Sequence, residues 1–186
     1  MEQTVEIKSK IDITPSRVGK KYYVKTFGCQ MNVHDSEKIA GMFELDGMIK
    51  ANSEENADVL FINTCTIREN ADDKLYGTLG QLKQWKSKQN DRKLLVGGCA
   101  AQKDKALVRD RAPWVDVVLG THNLTNIINL LNQSEDWGPI TEIVDEIEQM
   151  PTDAPSIRES ESSAWITIQI GCNNSCTFCI VPSVRG

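Results

Sequence analysis

Residues 58–63 read DVLFIN, and past the aspartate the run has no polar alternation until its last position. A strand with one face in water alternates apolar with polar. A strand covered on both faces does not, and such strands belong to parallel sheets flanked by helices. KLLVGG (93–98) and VDVVLG (115–120) have the same character, and YYVKTF (22–27) reads as a strand ahead of them. Between these runs the spacing is helical. In DSEKIAGMFELDG (35–47), Ile39, Met42 and Phe43 share a face, Asp35 or Ser36 stands where a cap belongs, and Gly47 ends the helix. In TIRENADDKLYGTLGQLKQW, Thr66 and Glu69 have capping-box spacing, and Ala71, Leu75, Leu79 and Leu82 form a stripe. A short helix is expected around Gln102 to Arg109, and Leu124, Ile127, Ile128 and Leu131 make another helical face. The order βαβαβαβα predicts an α/β fold: a small, open, mostly parallel sheet with helices on both sides.

From residue 132 to 163 the pattern breaks. ITEIVDEI can supply one more strand, whereas MPTDAPSIRESESSA is polar, acidic and proline-bearing, which marks a linker. AWITIQI (164–170) then reads as a new strand leading into a cysteine-rich loop. The expected units are an extension over 1–20, an α/β domain over 21–134, a linker over 135–163 and the start of another domain over 164–186. The formal net charge of −5 argues against an all-over electrostatic grip on nucleic acid or membrane, though a local basic patch is compatible with it. No apolar run approaches a bilayer span, and the first residues have no apolar signal-peptide core. A cytoplasmic location and no membrane partner are therefore expected.

In that compartment the six cysteines stay reduced, the alternative being three disulfides in a secreted protein. Cys29, Cys65 and Cys99 each follow one of the first three expected strands. In a parallel sheet the carboxyl ends of neighbouring strands share one edge, where open α/β sheets bind ligands. That edge can present three thiolates. Gly28, Gly97 and Gly98 allow close approach of a bulky ligand, and Cys65 and Cys99 precede expected helix starts, where exposed N–H groups favour a thiolate. Zinc, copper(I) and iron–sulfur centres all suit such a set. The other reading is that each cysteine is a small buried hydrophobe.

The second triplet is tighter. Cys172, Cys176 and Cys179 lie in GCNNSCTFCIVPSVRG with C-x3-C-x2-C spacing. Three thiolates on one loop suit an iron–sulfur cube, which ordinarily takes four cysteines, so one metal position stays open for another ligand. The alternative is half of a zinc site completed downstream.

This loop resembles the cluster loop of the radical S-adenosylmethionine enzymes, with Phe178 as the aromatic that precedes the last cysteine. The trailing VP and RG narrow the resemblance to the methylthiotransferase family. TFGCQMNVHDSE, NTCTIRENA and GGCAAQ resemble that family's N-terminal domain, so the likeness runs from about residue 20 to 186. It implies two 4Fe-4S clusters. Cys172, Cys176 and Cys179 would hold the one that binds S-adenosyl-L-methionine and generates a radical, with Phe178 beside it. Cys29, Cys65 and Cys99 would hold the auxiliary, sulfur-delivering one. It further implies a tRNA substrate, an electron donor, a sulfur source and a monomer in full-length form.

GCQMN and NTCTIRE resemble most closely the branch that methylthiolates C2 of N6-isopentenyladenosine beside the anticodon. The other branches act on threonylcarbamoyladenosine in tRNA or on a ribosomal-protein aspartate. A non-catalytic zinc or iron–sulfur module remains the alternative from another class. On this resemblance the chain carries the first strand and cluster loop of a truncated β/α barrel, and alone it is expected not to turn over. His34 and His122 are expected at the surface or as caps. Asn32 and Arg68 are expected either beside the auxiliary site or as loop caps. Trp85, Trp114, Trp137 and Trp165 are expected in packing, and Arg185 either meets substrate or closes the loop.

Overall fold

The structure, a computed structural model, describes residues 13–66, 70–145, 154–158, 160 and 162–186. Strand β1 (Lys21–Phe27) is followed by helix α1 (Gln30–Leu45), then the two-residue β2 (Ile49–Lys50) and β3 (Val59–Thr64). Helix α2 (Ala71–Ser87) leads to β4 (Lys93–Gly98). The short helices α3 (Cys99–Asp104) and α4 (Leu107–Arg111) precede β5 (Val117–Leu119). Helix α5 (Ile127–Trp137), β6 (Ile140–Glu142) and α6 (Val181–Arg185) complete the described elements. The six strands form one sheet in the order β2-β1-β3-β4-β5-β6, and every pairing is parallel.

The apolar runs behave as covered strands because successive side chains serve opposite layers. Phe61, Leu95, Val117 and Leu119 pack toward α1 and α5, against Ile39, Met42, Phe43, Ile127 and Leu131. Leu60, Ile62, Leu94, Val96 and Val118 pack toward α2, α3 and α4, against Leu75, Leu79, Leu82, Ala100 and Val108. Each large side chain removed from water in these two layers contributes about 1.5–3 kcal/mol of transfer free energy.

Several boundaries differ from the sequence expectation. Helix α1 begins at Gln30 with Cys29 as its N-cap, so Asp35 and Ser36 lie inside it and are buried. The helix from Gln102 is two helices, because Lys105 takes φ +51° and breaks the i→i+4 ladder. The sheet continues past residue 134 through β6, whereas ITEIVDEI yields only Ile140–Glu142 as strand and its last residues lie outside the described set. AWITIQI is not a strand here: residues 164–170 join no sheet. A strand needs an edge to bond to, and Ile166 and Ile168 stand exposed. The start of the expected extension, Glu69 of the expected capping box and part of the expected linker lie outside the described residues. Among the described residues no helix is long and apolar enough to cross a membrane.

Candidate functional site

The chain runs from β1 to β2 on one side and then returns to lay β3, β4 and β5 on the other. The switch point therefore falls between β1 and β3, and at their carboxyl ends an open α/β sheet has its crevice. Cys29 follows β1, Cys65 follows β3 and Cys99 follows β4, so the three thiols occupy adjacent loops on that edge. The Cys65 N–H donates to Phe27 O at 2.8 Å, which extends the β1–β3 pairing into the cysteine itself. Cys65 and Cys99 are buried and close enough to act on one another electrostatically, and Cys29 is half-buried. No three His, Cys, Asp or Glu side chains among the described residues are grouped so as to hold a metal ion.

A buried amide network underlies these loops. Asn32 Nδ2 donates to Asn63 Oδ1 at 2.8 Å and to Thr64 O at 3.2 Å. Asn63 Nδ2 returns bonds to Asn32 O at 2.8 Å and Ser36 Oγ at 3.0 Å. Asn32 Oδ1 accepts the Cys29 N–H at 3.4 Å and stands 3.3 Å from Cys29 Sγ. Asn32 thus stands beside the first cysteine and is also the capping-box residue of α1, so both of its sequence readings hold, while Arg68 lies outside the described residues. Gly98 makes the turn from β4 into α3 at φ +93°. A Cβ there would strike Asn63 Oδ1 and lie 2.5 Å from Thr64 O, so the loop admits no side chain at this point.

Asn63 was not singled out in the sequence. Its signal is there nonetheless: a polar residue closing an apolar run two residues before a cysteine needs a buried partner.

Arg185 reaches this edge from the far end of the chain. Its Nη1 is 2.6 Å from Asp35 Oδ2, and its Nε donates to Cys99 Sγ at 3.2 Å. Both ends of the ion pair are buried. Burial pushes the Cys99 thiol up from its ordinary range, against the downward pull of the Arg185 guanidinium. Cys65, expected before a helix start, is separated from α2 by undescribed residues, and the residue that caps a long helix is Cys29.

The second triplet lies on one loop before α6. Cys172 is half-buried, while Cys176 and Cys179 are exposed, as is Phe178. The Cys179 N–H donates to Cys176 O at 3.1 Å, which folds the loop back on itself. Cys172 N–H donates to Gly186 O at 2.8 Å, and Thr121 Oγ1 donates to Val184 O at 2.6 Å. A cavity of about 280 Å³ opens between α1 and residues 165–170, lined in part by His34, Asp35, Lys38, Trp165 and Arg185.

His34 is half-buried, 3.7 Å from Glu37, and burial with the nearby Lys38 lowers its pKa. His122 Nδ1 sits 3.0 Å from Val144 O. Trp85 and Trp114 donate their indole N–H groups to Glu54 O at 2.7 Å and Leu79 O at 2.9 Å, which bears out packing roles for both. Trp137 is exposed on α5.

The donor chemistry of the sheet edge fits an iron–sulfur group: three thiols, a tight glycine turn and a buried guanidinium whose Nη2 has no hydrogen-bond partner among the described residues. Residues 21–120 match the family described as "Uncharacterized protein family UPF0004". The chain is 49% identical over 187 residues to a tRNA-2-methylthio-N(6)-dimethylallyladenosine synthase of Corynebacterium jeikeium, covering all of this chain and 36% of that protein. It is 54% identical over 166 residues to a protein of the same name from Tropheryma whipplei, covering 89% of this chain and 35% of that protein. The chain therefore spans about a third of the length of the curated relatives it matches.

Proposed function

The chain belongs to the UPF0004 family, and on that footing we propose that it serves in a tRNA-modifying enzyme that installs a methylthio group on N6-dimethylallyladenosine. The observation that carries the reading is the placement of Cys29, Cys65 and Cys99 on adjacent loops of the carboxyl edge beside the β1–β3 switch point, within the matched residues. The names of relatives about 50% identical across the chain support this choice of substrate.

In this reading Cys29, Cys65 and Cys99 hold one 4Fe-4S cluster, and Cys172, Cys176 and Cys179 hold another, with Phe178 beside the latter. Such groups, when bound, supply the reductive cleavage of S-adenosyl-L-methionine at the C-terminal loop and the sulfur at the sheet edge. The protein's own contribution is positional. The Asn32–Asn63 pair fixes the β1 and β3 loops relative to one another, and the bare Gly98 lets the β4 loop close on them. Burial of Cys65 and Cys99 keeps water from that side of the edge. Three cysteines per set leave one metal position for a ligand from outside the protein. An electron donor and a sulfur source complete the requirement.

The test is mass spectrometry of nucleosides from digested tRNA, in a strain lacking the complete gene and complemented with wild type or Cys65→Ala. The expected result is loss of the 2-methylthio group with N6-dimethylallyladenosine retained, restored by wild type and not by Cys65→Ala. Unchanged 2-methylthio levels in the deletion strain overturn the assignment. A missing modification on threonylcarbamoyladenosine or on a ribosomal-protein aspartate would then name the substrate instead.

A further inference from the structure

We propose that Arg185 is a positioning residue that seats the Cys172–Cys179 loop on the Cys29/Cys65/Cys99 edge and donates a hydrogen bond to the sulfur of Cys99 there. The inference rests on the cluster-binding reading of the two cysteine sets and adds to it a device that joins them.

The geometry is economical. The Arg185 guanidinium spans two elements of the N-terminal sheet unit at once, the Asp35 carboxylate on α1 and the Cys99 thiol at the start of α3. The next residue, Gly186, accepts the backbone N–H of Cys172 at 2.8 Å. The first cysteine of one set is therefore one hydrogen bond and one peptide link away from the side chain that touches the third cysteine of the other. Gly171 tightens the same joint: a Cβ there would collide with Gly186 O. Thr121, in the loop after β5, holds the strand-edge side of α6 through Val184 O.

The energetics argue against an incidental contact. A guanidinium 6% exposed is costly to bury unless it is paired and hydrogen-bonded. Asp35 meets that need from the interior of α1, where a carboxylate gains nothing as a cap. The bidirectional arrangement explains why an acid is buried in mid-helix at all. Hydrogen bonds to the sulfurs of an iron–sulfur centre are among the protein's means of setting its potential, and a cation beside a thiolate acts in the same direction. A residue that only closed the loop would need no contact with Cys99.

The experiment uses the iron-loaded whole chain in a Cys172→Ala/Cys176→Ala/Cys179→Ala background, so that any potential measured belongs to the N-terminal set. Arg185→Met is expected to shift that potential to a more negative value at unchanged iron content, and Arg185→Lys, which keeps the charge without the fork, to shift it less. An unaltered potential in Arg185→Met with full iron overturns the sulfur contact. Hydrogen exchange on the metal-free chain tests the seating separately. The Cys172 amide should exchange several-fold faster in Arg185→Met and in Asp35→Asn, with β3 and β4 amides unaffected, and equal protection overturns the seating. Should the background chain load no iron at all, the cluster reading fails, and the exchange experiment still decides the docking.

Discussion

Asn63 is fully buried at the end of β3, and residues of α1 reach it through both ends of its amide. Truncation to alanine removes a bond from each of Asn32 Nδ2, Asn32 O and Ser36 Oγ in a buried region, leaving Asn32 Nδ2 with Thr64 O and Ser36 Oγ with Thr26 Oγ1. Leaving buried polar groups unsatisfied costs about 1–3 kcal/mol each where no rearrangement rescues them. Asn63→Ala should therefore lower the unfolding free energy by about 2–3 kcal/mol, read as a lower urea midpoint at constant m-value. A change within experimental scatter would mean the network relaxes onto water. The cysteines themselves were legible because their chemistry is rare and their placement after strands repeats. The residues that hold them were less so. Asn32 stood near a cysteine in sequence, but its partner Asn63 is thirty-one positions away, and only the β1–β3 register brings the two together.

The elements show which local rules lost to tertiary contacts. Sequence preference puts the start of α1 at Asp35 or Ser36, both good caps. The helix begins at Gln30 instead because both side chains are engaged inside: Asp35 with Arg185, and Ser36 with Thr26 and Asn63. Long-range pairing explains the difference, and no single-sequence pattern encodes it. The α3–α4 break is a second case. Lys105 sits at φ +51°, ψ −121°, a conformation an L side chain adopts only under strain. Lys105→Gly should raise stability by about 1 kcal/mol, since the strain relieved exceeds the extra freedom glycine gains when unfolded. The exposed Lys105–Asp145 ion pair lost in the exchange contributes little. Denaturant unfolding of the variant checks this, and a lower midpoint would show that the loop relies on the lysine. AWITIQI is the third case. Its alternation is a strand's, but a strand forms only against a neighbour, and residues 164–170 join no sheet.

At the scale of the molecule, the six cysteines divide by topology. Three come from separate strands and share one edge only because the sheet is parallel and its order reverses between β1 and β3. The other three lie within eight residues of one loop and need no fold to be near each other. That difference predicts different dependence on the protein. Cys29→Ala/Cys65→Ala/Cys99→Ala should keep roughly half of the iron bound by the anaerobically reconstituted chain, because the remaining loop carries its own three ligands. Mild urea, at concentrations that loosen the sheet without unfolding an isolated loop, should release iron from the strand-borne set first. The measurement is iron and sulfide content, with the visible absorption of each triple variant followed through the same urea series. Loss of all iron from the first variant, at unchanged secondary structure, would show one shared centre in place of two. Equal urea sensitivity of the two triple variants would instead make the loop depend on its seat against the sheet edge. In that event the contacts through Arg185 and Gly186 carry the coupling, and Arg185→Met should release the C-terminal set to respond to urea independently.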